Sequence, residues 1–172
     1  MRHIKYFVAN SLDNFISRRD GSVDWLFRDQ DYGMAEFFAT VDVAVMGRKT
    51  YEKMLELSPE SPFFPGMKHY VFSRTLHFSP HLQVEMVSGD VAAWASRIRS
   101  HPGKDIWLVG GGDFVRSFLQ LKLVNELGLA IHPRLLGDGI PLFSKPYPET
   151  ELELLRFKRY PNGLLQVFYR VK

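Results

Sequence analysis

Three short segments place glycine, hydroxyl and cationic side chains where an apolar run ends. Val45-Met46 leads into Gly47-Arg48-Lys49-Thr50, Val71-Phe72 into Ser73-Arg74-Thr75, and Leu108-Val109 into Gly110-Gly111-Gly112-Asp113. Glycine lets backbone N–H groups approach an anion, a helix N-terminus favours negative charge, and Arg or Lys supplies the counter-charge. The combination suits a ligand carrying several phosphates. Taken singly, each segment also has a plain structural reading: a tight strand-to-helix turn at the glycines, a cap at Gly47, a surface residue at Arg74. Their recurrence on three strand ends points to a ligand, because open parallel sheets bind ligands beyond the carboxyl ends of their strands. Two familiar phosphate patterns are missing. G-x-x-x-x-G-K-[ST] fails because Asp42 stands five residues before Gly47, and G-x-G-x-x-G does not occur.

The elements that must position these segments alternate. Short apolar runs predict strands over His3–Ala9, Val41–Met46, His69–Phe72, Leu82–Val87, Asp105–Val109 and Glu126–His132. Helical spacing predicts helices over Asp31–Thr40, Thr50–Leu57, Val91–Ser100 and Asp113–Leu121, the first carrying Met34, Phe37 and Phe38 on one face. The end of the chain differs. Glu151–Lys158 and Leu164–Val171 read as a hairpin joined by Arg159-Tyr160-Pro161-Asn162-Gly163, where Asn-Gly tolerates positive φ. The fold class is therefore α/β: a mixed, mostly parallel sheet of about eight strands, four flanking helices and a C-terminal antiparallel hairpin. Three prolines within Ser58–Gly66 mark a loop rather than a domain boundary.

At 172 residues the chain reads as one domain, 1–172. A domain of this size buries roughly 70% of its unfolded surface, so a core forms without staples. No apolar run approaches the ~18 residues of a membrane span, and no signal peptide opens the chain. Cysteine is absent, which removes disulfides and thiol chemistry and fits a cytoplasmic protein. The net charge of +3 is spread along the chain without a basic run, so neither nucleic acid nor membrane is an expected partner. No metal site is expected: His77 and His81 are spaced i, i+4, but Pro80 lies between them and breaks a helix.

The ordered motifs resemble a known family. Val45–Glu52, Val71–Arg74 and Ile106–Gly112 look like the cofactor segments of dihydrofolate reductases. Asn125-Glu126-Leu127 and His132–Phe143 resemble the reductase domain of the bifunctional deaminase-reductase of riboflavin biosynthesis. The resemblance covers nearly the whole chain. It implies a dihydrofolate-reductase-like fold, NADPH as cofactor, hydride transfer to a C=N or C=O group of a small molecule, and a homodimer. By that resemblance Gly47, Arg48, Lys49 and Thr50 meet the pyrophosphate and 2′-phosphate side. Ser73 and Arg74 hold the adenosine ribose and its 2′-phosphate. Gly110, Gly111 and Gly112 face the pyrophosphate and the nicotinamide end, with a cis peptide implied at Gly110–Gly111. Ala9, Val109 and Asp113 complete the cofactor set. Asn10, Trp25, Asp31 and Tyr51 are the implied substrate contacts, and Asp31 is the implied catalytic acid.

The substrate side departs from the dihydrofolate reductase pattern. Trp25 and Asp31 are one residue further apart, the Thr that pairs with the acid is replaced by Ala130 or Ile131, and Val115 stands where an aromatic residue is usual. These departures count against dihydrofolate itself as substrate. Asp31 also has a plainer role, a negative charge at a helix N-terminus. The expected function is an NADPH-dependent reductase acting on a small heterocycle or carbonyl compound. The alternative is a non-catalytic nucleotide-binding module that keeps the cofactor cleft.

Overall fold

A computed structural model describes residues 1–60 and 63–172. Ser61 and Pro62, part of the expected Ser58–Gly66 loop, lie outside the described residues. The elements in chain order are β1 (Ile4–Ser11), β2 (Phe15–Ser17), α1 (Met34–Ala39), β3 (Val41–Gly47), α2 (Arg48–Leu57), β4 (Lys68–Phe72) and β5 (Val84–Val87). They continue with α3 (Val91–Ser100), β6 (Asp105–Gly110), α4 (Gly112–Gln120), β7 (Glu126–His132), β8 (Ile140–Pro141), β9 (Leu152–Arg159) and β10 (Leu165–Val171).

Eight strands form one sheet in the order β5-β4-β3-β6-β1-β7-β10-β9. The first six run parallel to one another, while β10 is antiparallel to both β7 and β9. The central strands read as apolar runs because both of their faces are covered. On β3, Val43 and Val45 join the core beneath α3 and α4 with Ile4, Tyr6, Leu108, Trp94 and Phe118. Ala44 and Met46 point the other way, into a second core with Phe7, Trp107 and Tyr51. The period of two along each strand thus fills two cores from one sequence.

Four features differ from the sequence expectation. α1 begins at Met34 rather than Asp31, because Tyr32 and Gly33 have φ of 52° and 75° and cannot continue a right-handed helix. α2 begins at Arg48, so Arg48 and Lys49 are its first turn. The Gly110–Gly111 peptide is not cis; consecutive positive φ values of 145° and 91° turn the chain instead. In the hairpin link, Gly163 takes a positive φ of 88° and Asn162 does not. The short β2–β8 ribbon has no counterpart among the expected elements. It fits because a Cβ on Gly139 would lie 2.3 Å from the Ser17 carbonyl oxygen.

Candidate active site

Strand register brings the glycine segments together. Met46 pairs with Gly110 across β3–β6, and Gly47 pairs with Phe72 across β3–β4, so Gly47, Ser73 and Gly110 end three adjacent strands at one sheet edge. A Cβ on Gly111 would stand 3.1 Å from Thr50 Oγ1, so the starts of α2 and α4 converge. Nothing lies within 4 Å of the corresponding position on Gly110. Backbone N–H groups of two helix first turns thus face an open space bounded by glycine.

The polar side chains around this space have defined partners. Ser73 is buried, and its Oγ accepts the N–H groups of Thr75 at 3.1 Å and Leu76 at 2.7 Å. Its own O–H remains a donor. Arg48 donates to both carboxylate oxygens of Glu52 at 2.7 and 2.8 Å. Lys49 and Arg74 are exposed, and neither has an ion-pair partner among the described residues. Asp113 opens α4 and pairs with Arg116 at 3.5 Å.

A cavity of about 460 Å³ lies beside this edge. Its sheet side is made by Phe7 and Ala9 of β1, Trp107 and Val109 of β6, and Ala130 and His132 of β7. Leu26, Phe27, Asp31, Tyr32 and Met34 face them from the segment that leads into α1. Ala9 and Val109 therefore sit where the glycine edge meets the cavity.

Asp31 is exposed at the cavity rim, and its two oxygens accept the Ala35 N–H at 3.3 and 3.2 Å. Trp25 is buried and packs edge-on to His132 at 5.2 Å, with its indole N–H unpaired. Asn10 is fully buried; its amide donates to the Ser11 carbonyl at 2.8 Å, while its Oδ1 has no partner. Tyr51 is not brought to the cavity. It is 3% exposed, bonds Ser79 Oγ at 2.9 Å and packs on Phe63.

Two features of the cavity wall escaped sequence reasoning. His132, expected only as the end of a strand, is 3% exposed and lines the cavity. Its Nδ1 lies 3.1 Å from the Ala130 carbonyl and must donate there, which leaves Nε2 unprotonated and without a partner. Burial lowers its pKa and keeps the ring neutral. The second feature is the support of the Asp31 segment. Gln166 of β10 donates from Nε2 to the Tyr32 carbonyl at 2.8 Å and accepts the Tyr160 hydroxyl at 3.1 Å. The Tyr32 hydroxyl donates to Asp29 and accepts from Asn162. The C-terminal hairpin thus holds Tyr32, the neighbour of Asp31, and through its hydroxyl Asp29. The Asn162-Gly163 turn was visible in the sequence, but nothing local linked it to position 32.

Residues 2–166 match the family described as RibD C-terminal domain. The chain belongs to that family. Uncharacterized protein YyaP of Bacillus subtilis is 33% identical over 178 residues, covering 98% of this chain and 94% of that protein. A putative riboflavin biosynthesis protein from Shewanella sp. PV-4 superposes with a TM-score of 0.86 at 26% identity, over 100% of this chain and 99% of that one. A Thermotoga maritima diaminohydroxyphosphoribosylaminopyrimidine deaminase/5-amino-6-(5-phosphoribosylamino)uracil reductase shares the fold, with a TM-score of 0.75 at 16% identity. This chain aligns over 99% of its own length and 57% of that protein. The RibD C-terminal domain thus has a dihydrofolate-reductase-like architecture here, and the His132–Phe143 segment acquires a physical reason. Asp13 accepts the N–H groups of Leu136 and Gly137 at 3.0 and 2.7 Å, and Gly112 admits Ser144 and Pro141 against the start of α4. Among the described residues no helix is long and apolar enough to cross a membrane.

Proposed function

We propose that the chain is a cytoplasmic NADPH-dependent reductase that transfers hydride to a small heterocyclic or carbonyl substrate. The observation that carries this reading is the junction of the glycine edge with the cavity at Ala9 and Val109. One side suits an anionic dinucleotide and the other a flat, largely apolar molecule.

The residues present fit NADPH. Gly110 leaves room for close approach, and Arg48, Lys49 and Arg74 bring positive charge to the same strand ends. Gly47, Thr50 and the Gly110–Asp113 turn would hold the pyrophosphate, Ser73 and Arg74 the ribose with its 2′-phosphate, and Ala9 and Val109 the nicotinamide end. NADPH, when bound, supplies the hydride. The chain's own part is to orient and protect. Phe7, Trp107 and Ala130 form an apolar floor that excludes water and holds a planar ring against the sheet. Asp31 sits at the rim, where its carboxyl group lies between solvent and the cavity and is the acid–base group placed to pass a proton to the substrate. His132 closes the opposite wall with a buried ring.

A second reading, a nucleotide-binding module without chemistry, is favoured by one observation: both Asp31 oxygens are directed to the Ala35 N–H. Calorimetry with NADPH and NADH, followed by NADPH oxidation against a panel of pterins and pyrimidines, separates the readings. The reductase reading expects NADPH binding about ten-fold or more tighter than NADH and oxidation by at least one panel member, since one charge-assisted contact contributes ~1.5–3 kcal/mol. Absence of NADPH binding refutes it. Binding without oxidation by any compound supports the module.

A further inference from the structure

A second cavity, of about 290 Å³, lies between α1 and the C-terminal hairpin, and it shares Phe7, Tyr32 and Gln166 with the first as a common wall. Strand register builds its floor. Phe7, Gly128 and Phe168 stand side by side across β1, β7 and β10. A Cβ on Gly128 would lie 2.7 Å from Phe7 Cδ2 and 2.8 Å from Phe168 Cε1. The two rings therefore close over the glycine, with centroids 5.4 Å apart and planes 31° from one another. Phe37 of α1 packs on Phe7 at 4.8 Å and bounds one side. On the other side Arg156 of β9 lays its guanidinium over the Phe168 ring, 3.9 Å from its centroid. Flat groups thus make up most of the lining, and they suit a flat ligand.

The charges narrow its chemistry. Among the described residues, Lys5, Glu36, Glu126, Arg156 and Lys158 line the cavity. Lys5 is answered by Asp105 at 2.9 Å, and Arg156 and Glu126 answer one another at 3.2 Å. Glu36 on the α1 side and Lys158 on the β9 side have no ion-pair partner among the described residues. The Lys158 ammonium is held 4.8 Å from the centroid of the Tyr160 ring. One unanswered anion and one unanswered cation therefore stand on opposite sides of an aromatic floor.

We infer that this cavity binds a small aromatic zwitterion, with its acid group at Lys158, its amine at Glu36 and its ring over Phe7. A ligand with a single charge of either sign satisfies one of these groups and is repelled by the other. An α-amino acid carries both charges on one carbon and cannot meet opposite walls. The volume is at the lower end of the ~300–1,000 Å³ usual for ligand pockets, which suits one ring or two fused ones. An occupant touches Phe7, Tyr32 and Gln166, so it lies against the wall of the candidate active site. The assignment uses no residue proposed to hold NADPH and stands whether or not the first cavity carries chemistry.

Amide-resolved NMR titration of the full chain at neutral pH tests it. The probes are para-(aminomethyl)benzoate, para-methylbenzoate and para-methylbenzylamine, which share one ring and carry both charges, the acid alone or the amine alone. Shifts are expected at Gly33, Glu36, Gly128 and Lys158. The zwitterion is expected to bind about three-fold or more tighter than either analogue, the advantage of one exposed ion pair. Lys158→Gln should remove its advantage over para-methylbenzylamine and keep the other. Glu36→Gln should remove its advantage over para-methylbenzoate and keep the other. Both side chains are exposed, and the amide spectrum of each variant reports its folding. The comparison of the three probes on the native chain decides even where a variant does not fold. Equal binding of the three probes, no shifts, shifts confined to the glycine edge or the first cavity, or folded variants that keep both advantages would each overturn the site.

Discussion

Gln166→Leu tests whether the C-terminal hairpin supports the Asp31 segment. The Gln166 side chain is 4% exposed and makes two neutral hydrogen bonds, to the Tyr32 carbonyl at 2.8 Å and from the Tyr160 hydroxyl at 3.1 Å. Leucine fills much of the same space but bonds neither group. Tyr160 and Tyr32 are 6% and 9% exposed, so little water can replace the lost partner. Leaving a buried polar group unpaired costs ~1–3 kcal/mol, and the added apolar surface offsets part of that for two groups. The net expectation is a loss of ~2–4 kcal/mol, which lowers the melting temperature by ~4–16 °C for a domain of this size. Tyr160→Phe removes one of the two bonds and should cost ~1 kcal/mol. In the double variant the Tyr160→Phe change should cost almost nothing further, because its partner is already gone. Thermal and urea melts of the four proteins measure all three quantities. A neutral Gln166→Leu, or costs that simply add, would refute the proposed support. Asp31 offers an internal control, since replacing it should leave this cycle unchanged.

The remaining expectations concern the reaction and pH. Asp31→Asn keeps an oxygen for the Ala35 N–H, so stability should fall by only ~0.3–1 kcal/mol, while single-turnover hydride transfer should fall by ~10²–10⁴ if the carboxyl holds the reacting proton; an unchanged rate assigns Asp31 to the helix alone. Arg74→Ala should lower NADPH affinity by about ten-fold and leave NADH affinity nearly unchanged, with the native preference shrinking as salt is added; equal losses for both cofactors would remove Arg74 from the 2′-phosphate. His69 is fully buried, and desolvation lowers its pKa to about 4. Its stabilising effect is complete above the unfolded value near ~6.5 and is lost as pH falls toward 4, because the unfolded chain takes up the proton first. His69→Gln should flatten the fall in stability measured between those two values, and a native curve already flat there would count against a neutral buried ring.

The parts of the fold visible in the sequence are those written in local pattern. The β3 run Val-Asp-Val-Ala-Val-Met-Gly reads as a strand with both faces covered, and its alternate residues do feed two cores. The glycine ends were legible because glycine, arginine and serine at strand ends carry their chemistry in their residue type. The start of α1 was not, because tyrosine gives no sign that it will adopt a φ of 52°. Nor was the support of Asp31: the Gln166–Tyr32 bond spans 134 positions, and a glutamine in an amphipathic strand looks like surface. His132 was hidden for a related reason. Its orientation depends on Ala130 two residues back, but its place in the cavity depends on Trp25 and Phe27 arriving from the other side.

The position of β6 between β1 and β3 also dictates an order of events during synthesis. β1 and β3 emerge first, yet neither is the other's neighbour; both pair with a strand that is made some sixty residues after β3. The early chain therefore holds two apolar strands with a vacant lane between them, and closing that lane requires contacts far apart in sequence, which are slow to form. Until residues 105–110 leave the ribosome, Phe7, Ala44 and Met46 lack Trp107, the side chain that lies among them. A nascent chain arrested before β6 should be protease-sensitive throughout and prone to bind chaperones, whereas one arrested after β7 should already protect its central strands.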